Sequence, residues 1–336
     1  MNERTISRRR LAGHGLGMAT AIGVGLPTLA GATEATPDAS SAASPAAGMR
    51  SVTDILGSSV DVPADPQRVV VLDVNLLGLA LALGIKPVAA SRYGTSNAFP
   101  AILGEDTDGI VALGKNETLD VETVVALDPD LIVMTYYGDP TTYDLVKHIA
   151  PTVLAGEFRD GWRDDSIIAA DALNRMDALA EVSAAYDARV EAIVGALPAA
   201  FANTETAVLR FTKEAIRLQK RNACISSILA DHTLMVPEVD PESSGIAVDL
   251  SIENIRDIDF PTLWIVSDGN DKADAAVAEF FQSDLVQGLQ AVQNETIYFV
   301  PQEYWITLRG YLSATNVQDD LQRYLIDGEP SPAFPS

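Results

Sequence analysis

Cysteine and histidine are scarce in this chain of 336 residues. The only cysteine is Cys224, so no disulfide can form within the chain. We predict that Cys224 is a small buried helix residue rather than a nucleophile. The histidines are His14, His148 and His232, and their wide separation argues against a zinc site built from imidazole and carboxylate ligands.

Basic residues are also few. The sequence has 23 Lys and Arg against 47 Asp and Glu, which gives a formal net charge of −24. Nucleic-acid binding requires basic patches, and this composition does not supply them. Because 47% of the residues are apolar and only 21% are charged, the chain is expected to fold, and its acidity is best explained as a solvated surface.

The motifs of common enzymes are missing. No G-x-S-x-G nucleophile turn, no G-x-x-x-x-G-K-[ST] phosphate loop and no H-E-x-x-H zinc helix occurs. The oxygen-rich segment DGNDKAD at 268–274 lacks the spacing of a calcium loop. We therefore expect no catalytic residues and no metal held directly by the protein, and a secreted enzyme is the less favoured alternative.

No apolar run near the N-terminus is long enough for a stable membrane span. The segment that follows Arg8 and Arg9 is only mildly apolar, rich in glycine and broken by Pro27. Paired arginines before such a segment resemble a twin-arginine (Tat) export signal. Small residues then lead to Ala32, after which we expect cleavage.

This interpretation makes residues 1–32 a Tat-type signal peptide and residues 33–50 a flexible linker of small residues and proline. Position 32 is alanine, so it has no thiol to accept the lipid of a lipoprotein. We expect an exported protein, periplasmic or at the cell surface, with no lipobox cysteine.

From residue 51 onward, apolar strand patterns alternate with helical patterns, and this alternation predicts parallel sheets with helical crossovers. The segment 164–198 is rich in Ala, Glu and Leu and has no Pro before its last residue, so it is predicted to be mostly helical. We expect an N-terminal α/β lobe at 51–175, an interlobe helix at 176–198 and a C-terminal α/β lobe at 199–330. One stiff connection predicts small hinge motion.

Two stretches of the chain have nearly the same layout. LDVETVVALDPDLIVM at 119–134 and LSIENIRDIDFPTLWIV at 250–266 each read as a short helix followed by a strand. Glu122 matches Glu253, and Phe260 is a single inserted residue. The repeat is domain-sized and predicts equivalent elements in the two lobes.

Ligands of α/β sheets collect beyond the carboxyl ends of the strands. At those ends the sequence places aromatic and arginine side chains, which suit a bulky, flat or anionic ligand. The candidates are Arg92, Tyr93, Tyr136, Tyr137, Arg210, Tyr304 and Trp305, with Ser267 and Asp268 after a further strand and Trp162 in the linking region.

The order of these blocks resembles the substrate-binding proteins of ABC importers for ferric siderophores and cobalamin. The resemblance covers almost all of residues 51–326, from VTDILGSSVDVPADPQRVVVLD to GYLSATNVQDDLQRYL. It implies two Rossmann-like lobes bridged by one long helix. A ligand is held between the lobes and delivered to a membrane permease with its ATPase, and the binding protein is a monomer.

The ligand class stays open within this resemblance. A ferric siderophore carries its own iron ligands, so no intrinsic cofactor is expected. An anionic chelate of the catecholate or citrate type favours arginines in the cleft, for which Arg92, Arg210 and Arg217 are candidates. Cobalamin needs a large apolar cleft. Haem remains an alternative ligand, because one of the tyrosines noted above could serve as its axial ligand. A binding or signalling module that has lost transport is a further alternative.

The resemblance also implies a role for Glu122 and Glu253. In this family one acidic residue on each lobe meets arginines of the permease, and these two glutamates hold the matching positions. Each can also be explained as a first-turn acid favoured by the helix dipole, with Asp120 or Ser251 as the cap.

Overall fold

A computed structural model describes residues 48–92, 98–114, 118–138, 140–157, 161–242 and 245–332 of the chain. Two five-stranded sheets and a two-stranded hairpin make up its strands. Within these ranges, no helix is both long and apolar enough to cross a membrane. Tyr93 and the whole predicted signal segment lie outside the described residues.

The described chain begins with a hairpin that the sequence patterns did not predict. Strands β1 (Met49–Thr53) and β2 (Ser59–Pro63) pair antiparallel. The carboxylate of Asp54 accepts hydrogen bonds from two amides in the connecting turn. Only one residue of each strand is fully buried, so the apolar alternation is too weak to identify a strand from sequence.

The N-terminal sheet is parallel throughout and has the order β5-β4-β3-β6-β7. Strands β3, β4 and β6 are buried on both faces, which explains their continuous apolar runs, whereas the edge strand β5 is exposed. The strands are β3 (Val69–Leu72), β4 (Ala89–Ala90), β5 (Val111–Ala112), β6 (Leu131–Tyr136) and β7 (Thr152–Glu157). Helices α1 (Val74–Ala82), α2 (Val121–Ala126) and α3 (Thr141–Val146) and a 3₁₀ segment, Ala101–Thr107, connect them.

The C-terminal sheet repeats this order of strands as β10-β9-β8-β11-β12. Its strands are β8 (Thr206–Phe211), β9 (Ile216–Gln219), β10 (Ala247–Leu250), β11 (Thr262–Ser267) and β12 (Ile297–Phe299). Strand β9 runs antiparallel to β8, because the short turn between them can only form a hairpin, and β10 pairs antiparallel with β9. The helices are α6 (Cys224–Asp231), α7 (Asp271–Gln282), α8 (Asp284–Gln287), α9 (Gln290–Gln293) and α10 (Tyr311–Leu321).

The sequence repeat marks equivalent strands: β6 lies between β3 and β7, and β11 lies between β8 and β12. The helices before these strands differ. Asp120 caps α2 by accepting a hydrogen bond from the Thr123 amide at 3.0 Å. The matching segment, Ile252–Ile258, is a 3₁₀ helix whose flanking Ser251 makes no side-chain cap, so the prediction of Ser251 as a cap was wrong.

The linking segment contains two helices rather than one. Helix α4 (Trp162–Ala172) and helix α5 (Met176–Ala196) are separated by a tight turn in which Asn174 has a φ of 53°. Asparagine tolerates this left-handed conformation better than most residues, so it can end a helix without glycine or proline. Helix α5 occupies most of the predicted interlobe segment 176–198, and the division into lobes at the two ends of this segment stays a prediction.

Two other predicted elements are shorter than the sequence suggested. The segment KPVAAS at 86–91 has the apolar pattern of a strand, but only Ala89–Ala90 forms one, because it lies towards the edge of the sheet and pairs over two residues on each side. The segment TYDLVKHIAP at 142–151 has a helical pattern that Pro151 would stop, but the helix ends earlier, at Val146, and is followed by turns.

One hydrophobic core cluster runs through both sheets by way of α4, α5, α6 and α10. At its centre the Trp162 ring meets Tyr311 and Tyr186 edge-on, with centroids 5.0 and 5.9 Å apart. The Tyr186 hydroxyl donates to Asp231 at 2.9 Å, and Arg163 binds the same carboxylate at 2.8 Å. The two lobes therefore share a continuous interior beside the interlobe helix.

His232 is fully buried in this shared core, where its Nδ1 lies 2.7 Å from the Ile228 carbonyl. Its Nε2 lies 3.1 Å from the side-chain nitrogen of Gln318 on α10. Burial lowers the pKa of His232 below 6.5, and the neighbouring Arg189 and Arg163 lower it further, while the Ile228 carbonyl and Asp231 oppose the change. The imidazole is therefore held neutral.

We predict that His232 makes the protein less stable in mild acid. The unfolded chain binds the histidine proton near pH 6.5, whereas the folded chain does so only at lower pH. The free energy of unfolding should therefore decrease as the pH drops below about 6.5, and this group should contribute up to about 1.4 kcal/mol of that decrease per pH unit. Urea titrations between pH 7.5 and 5.5 should show a smaller fall for His232→Gln than for the parent protein.

The matched control is His148→Gln, because His148 is exposed on the surface. This variant should keep the parent pH profile. Parallel pH profiles for the parent and His232→Gln would contradict the prediction.

Candidate functional site

Three arginines line a cavity of about 270 Å³ in the C-terminal lobe. Arg210 stands near the end of β8, Arg217 lies on β9, and Arg309 belongs to the loop between β12 and α10. We call this space the arginine cavity. The rest of its lining is Gln219, Ala223, Cys224, Ile225, Ile246, Ala247, Trp305, Ile306 and Thr307.

Strand register brings two of these arginines together. Arg210 on β8 is the direct cross-strand partner of Arg217 on β9, and Arg217 in turn is the partner of Asp249 on β10. Directly opposed residues of antiparallel strands share one face of the sheet, with Cβ atoms about 4.5–5.5 Å apart. Like charges at that spacing repel, so the pair needs compensating charges.

Two carboxylates supply this compensation. Asp268, just beyond β11, binds Arg210 through two hydrogen bonds of 2.7 and 3.1 Å. Asp249 accepts a hydrogen bond of 3.3 Å from Arg217. The Arg210–Asp268 pair is the more enclosed, with side chains 21% and 19% exposed. Asp268 therefore holds the Arg210 guanidinium in a fixed orientation.

The cavity retains donor capacity for an anion. A guanidinium carries five N–H donors in a rigid fork, and Asp268 uses two of those on Arg210. The first residues of α6 also line the cavity, which brings the positive end of that helix dipole to the same space. Guanidinium forks bind carboxylates with two parallel hydrogen bonds, so the arrangement suits an anionic ligand.

A second, smaller cavity of about 30 Å³ lies where the two lobes meet. Its lining includes Asn75 at the start of α1 and Thr135 on β6 from the N-terminal lobe, Trp162 from α4, and Arg309 from the C-terminal lobe. Arg309 lines both cavities and thus connects the arginine cavity with the junction between the lobes.

Trp305 forms a fixed wall of the arginine cavity. Its ring is 2% exposed, lies 4.7 Å from the Trp264 ring and donates its indole N–H to Asp320 at 2.8 Å. Burial raises the pKa of Asp320, and hydrogen bonds from Trp305 and Tyr304 together with Arg323 partly oppose this rise. The Asp320 carboxylate therefore holds both Trp305 and Tyr304 in place.

The remaining predicted ligand residues are dispersed. Trp162 is buried, donates to Ser227 at 3.0 Å and lines the smaller cavity. Tyr136 is half-buried against the N-terminal core, and Tyr137 is exposed with its hydroxyl donating to Asp73. Arg92 follows β4 and lines neither cavity. The structure thus brings Arg210, Arg217 and Trp305 together, while ligand contact by every one of these residues stays a prediction.

The sequence patterns did not identify Arg309. It lies in the loop after β12, four residues beyond Trp305, and is followed by Gly310 with a φ of 97°. The strand-end rule would have selected it if the whole loop up to α10 had been considered.

Cys224 is the first residue of α6, and its prediction as a buried helix residue is confirmed. Burial raises the pKa of its thiol to about 11, although the Gly310 amide and Arg309 act in the opposite direction. The side chain is therefore a neutral thiol in the wall of the arginine cavity, and a thiol of this kind is a poor nucleophile.

Glu122 and Glu253 are exposed at matching places, each in the first turn of the helix that precedes its equivalent strand. The pKa of Glu253 is lowered by a hydrogen bond from its own amide and by the Ser251 hydroxyl. Its carboxylate therefore stays charged on the surface.

Comparison with known proteins identifies the family. The model of the periplasmic binding protein family matches residues 69–304. The chain belongs to the periplasmic binding protein family. Its members are solute-binding transport proteins, so this periplasmic binding protein is not an enzyme.

Two Bacillus subtilis proteins illustrate the sequence similarity. One, named as a probable siderophore-binding lipoprotein, is 29% identical over 286 residues, which cover 82% of this chain and 88% of the relative. The other, an Fe(3+)-citrate-binding protein, is 26% identical and aligns over 78% of this chain and 82% of its own length.

Solved structures show the same fold. Staphylococcus aureus SirA in complex with staphyloferrin B superposes with a TM-score of 0.72 at 22% identity, over 81% of this chain and 97% of SirA. Bacillus subtilis FeuA in complex with ferri-bacillibactin gives a TM-score of 0.69 at 14% identity, over 83% and 99% of the two chains. These matches confirm the α/β architecture of two lobes joined by a long helix.

Proposed function

We propose that this binding protein is the extracytoplasmic solute-binding component of an ABC importer and that its ligand is an anionic ferric siderophore. The observation that carries the proposal is the convergence of Arg210, Arg217 and Arg309 on the arginine cavity, with Arg309 also lining the smaller cavity at the junction of the lobes. The named sequence relatives, which bind siderophores or ferric citrate, support it.

The chemistry of the cavity favours a complete chelate over free iron. Within the described ranges, no three His, Cys, Asp or Glu side chains are grouped to hold a metal ion. The protein instead presents cationic forks and the indole wall of Trp305. A chelate supplies the ligands of its own iron and leaves peripheral oxygen atoms for the arginines, so ferric complexes with free carboxylates match the donors best.

The arginine assignment predicts a loss of affinity on truncation. Arg210→Ala and Arg217→Ala should each weaken binding of ferric citrate by about 10- to 100-fold, since a hydrogen bond to a charged group contributes about 1.5–3 kcal/mol. Arg210→Lys should bind with intermediate affinity, because it keeps the charge and loses the fork. Quenching of tryptophan fluorescence provides the measurement, with Trp305 in the cavity wall as a reporter.

Arg221→Ala is the control, because Arg221 is an exposed arginine paired with Glu238 at 3.4 Å and lines neither cavity. The same titration should include ferric catecholates, ferric hydroxamates, cobalamin and haem. Saturable binding of cobalamin or haem alone would contradict the proposed ligand, and no saturable response to any compound would contradict the proposed function.

We also propose that Glu122 and Glu253 dock with arginines of the permease. Both carboxylates are exposed and lie at equivalent places on the two lobes. The double variant Glu122→Lys/Glu253→Lys should abolish uptake of the ferric chelate by cells while leaving its affinity for the isolated protein unchanged, because neither residue lines either of the two cavities described above.

Radiolabelled iron uptake by cells measures the first effect and fluorescence titration the second. Glu181→Lys/Glu191→Lys is the matched control, since it makes the same charge change at exposed positions of α5. Uptake equal to that of the parent by the Glu122/Glu253 variant would rule out the docking role.

The export route is likewise our proposal. Residues 1–32 act as a twin-arginine signal that is cleaved after Ala32. Two of the relatives are named lipoproteins. The only cysteine of this sequence is the buried Cys224, and we therefore predict that the protein carries no lipid anchor. Arg8→Lys/Arg9→Lys should leave the precursor in the cytoplasm, and N-terminal sequencing of the exported parent protein should start at Thr33. Unchanged export of the variant would contradict the route.

A further inference from the structure

One hydrogen bond joins the arginine cavity to the opposite lobe. The side-chain oxygen of Asn75, at the start of α1, accepts a hydrogen bond of 2.8 Å from the backbone amide of Arg309. The two residues are 234 positions apart in the sequence. Asn75 and Arg309 both line the smaller cavity at the junction of the lobes.

Asn75 is itself held firmly. One carboxylate oxygen of Asp73 accepts hydrogen bonds from the amides of Asn75 at 2.6 Å and Leu76 at 3.2 Å, and so caps α1. The other oxygen accepts a hydrogen bond from the Tyr137 hydroxyl. Asp73 is 3% exposed, so these bonds are shielded from water. The start of α1 is therefore a rigid acceptor presented to the other lobe.

Arg309, in contrast, lies in irregular backbone. A π-helical turn, Glu303–Thr307, precedes it, and Gly310 with a φ of 97° follows it before α10 begins. No strand ladder or helix interior fixes the Arg309 backbone. The Asn75 oxygen therefore restrains it from the other lobe, and loss of that acceptor would release a half-buried amide.

We propose that Asn75 is a positioning residue for Arg309, so that the N-terminal lobe sets the orientation of an anion-binding arginine in the C-terminal lobe. This inference rests on the proposed function of the arginine cavity. It extends that function by making ligand affinity depend on a side chain that does not line the arginine cavity.

The consequence is energetic coupling between the two residues. Removing the Asn75 acceptor should weaken binding of the anionic chelate only through Arg309. In a protein that already lacks the Arg309 guanidinium, the same change should have little further effect. Residues in one hydrogen-bonded network are non-additive in this way, whereas independent sites are additive.

The first measurement is hydrogen exchange of the full-length mature protein without ligand. Asn75→Ala should accelerate exchange in the peptide that contains the Arg309 amide, whereas Asn75→Asp, which keeps an acceptor oxygen, should preserve its protection. Asn316→Ala is the control, because Asn316 is also half-buried, makes one side-chain hydrogen bond of 2.8 Å to a backbone carbonyl and lines neither cavity. Equal protection in Asn75→Ala and the parent would overturn the proposal.

The second measurement is a double-mutant cycle with ferric citrate as the probe. Asn75→Ala should weaken binding about tenfold in the parent and less than twofold in the Arg309→Ala background, a coupling within the range seen for contacting residues. The same tenfold loss in both backgrounds, or no loss in the parent, would overturn the positioning role. Circular dichroism and urea titration establish that each variant is folded.

The two proposals fail in different ways. If the parent protein binds no ferric chelate, the proposed function is wrong, while hydrogen exchange still decides whether Asn75 fixes the Arg309 backbone. If the parent binds the chelate and the cycle is additive, the proposed function stands and the positioning role is wrong.

Discussion

The architecture depends on a shared interior that the two lobes build around the interlobe helices. Trp162 and Tyr186 contribute its aromatic centre, and Asp231 at the end of α6 receives both the Tyr186 hydroxyl and the Arg163 guanidinium. A charge removed from water is costly unless it is paired and hydrogen-bonded, and this carboxylate has both kinds of partner. The contact joins α6 to the linking helices α4 and α5, and the first residues of α6 form one wall of the arginine cavity.

Packing against this shared interior, together with hydrogen bonds to neighbouring groups, explains why the ligand site can be preorganised. Trp305 is fixed by Asp320 on α10, and α10 packs against α5. Arg210 is fixed by Asp268, and the Arg309 backbone by Asn75. A site whose donors are already oriented loses less conformational entropy when a ligand binds, so rigid support of this kind increases affinity.

The charge distribution adds a second requirement. A protein with a formal charge of −24 repels anions at long range. An anionic ligand therefore needs a local concentration of positive charge. The structure supplies this with three arginines and a helix N-terminus in one cavity. The carboxylates of Asp249 and Asp268 allow neighbouring arginines to coexist without strong mutual repulsion.

The sequence by itself determined the alternation of strands and helices, the division into two similar α/β halves, the long helical connection and the matching acidic residues Glu122 and Glu253. These features depend on periodicity and on turn chemistry, which act over a few residues and can be read locally. The weakly patterned hairpin at the start of the described chain escaped prediction, because half-exposed strands carry little periodic signal, and β4 was predicted but proved shorter than its apolar segment.

Only the tertiary structure decided which side chains meet. It placed Arg210 beside Arg217 through strand register, turned Trp305 into a buried wall, and brought Asn75 to Arg309 across 234 residues. Such contacts depend on strand order and on how helices pack over both sheets, and no local pattern encodes the distance between residues so far apart in the chain. The sequence alone identified arginine and aromatic residues suited to an anion site, whereas only the fold brought these residues together in one cavity.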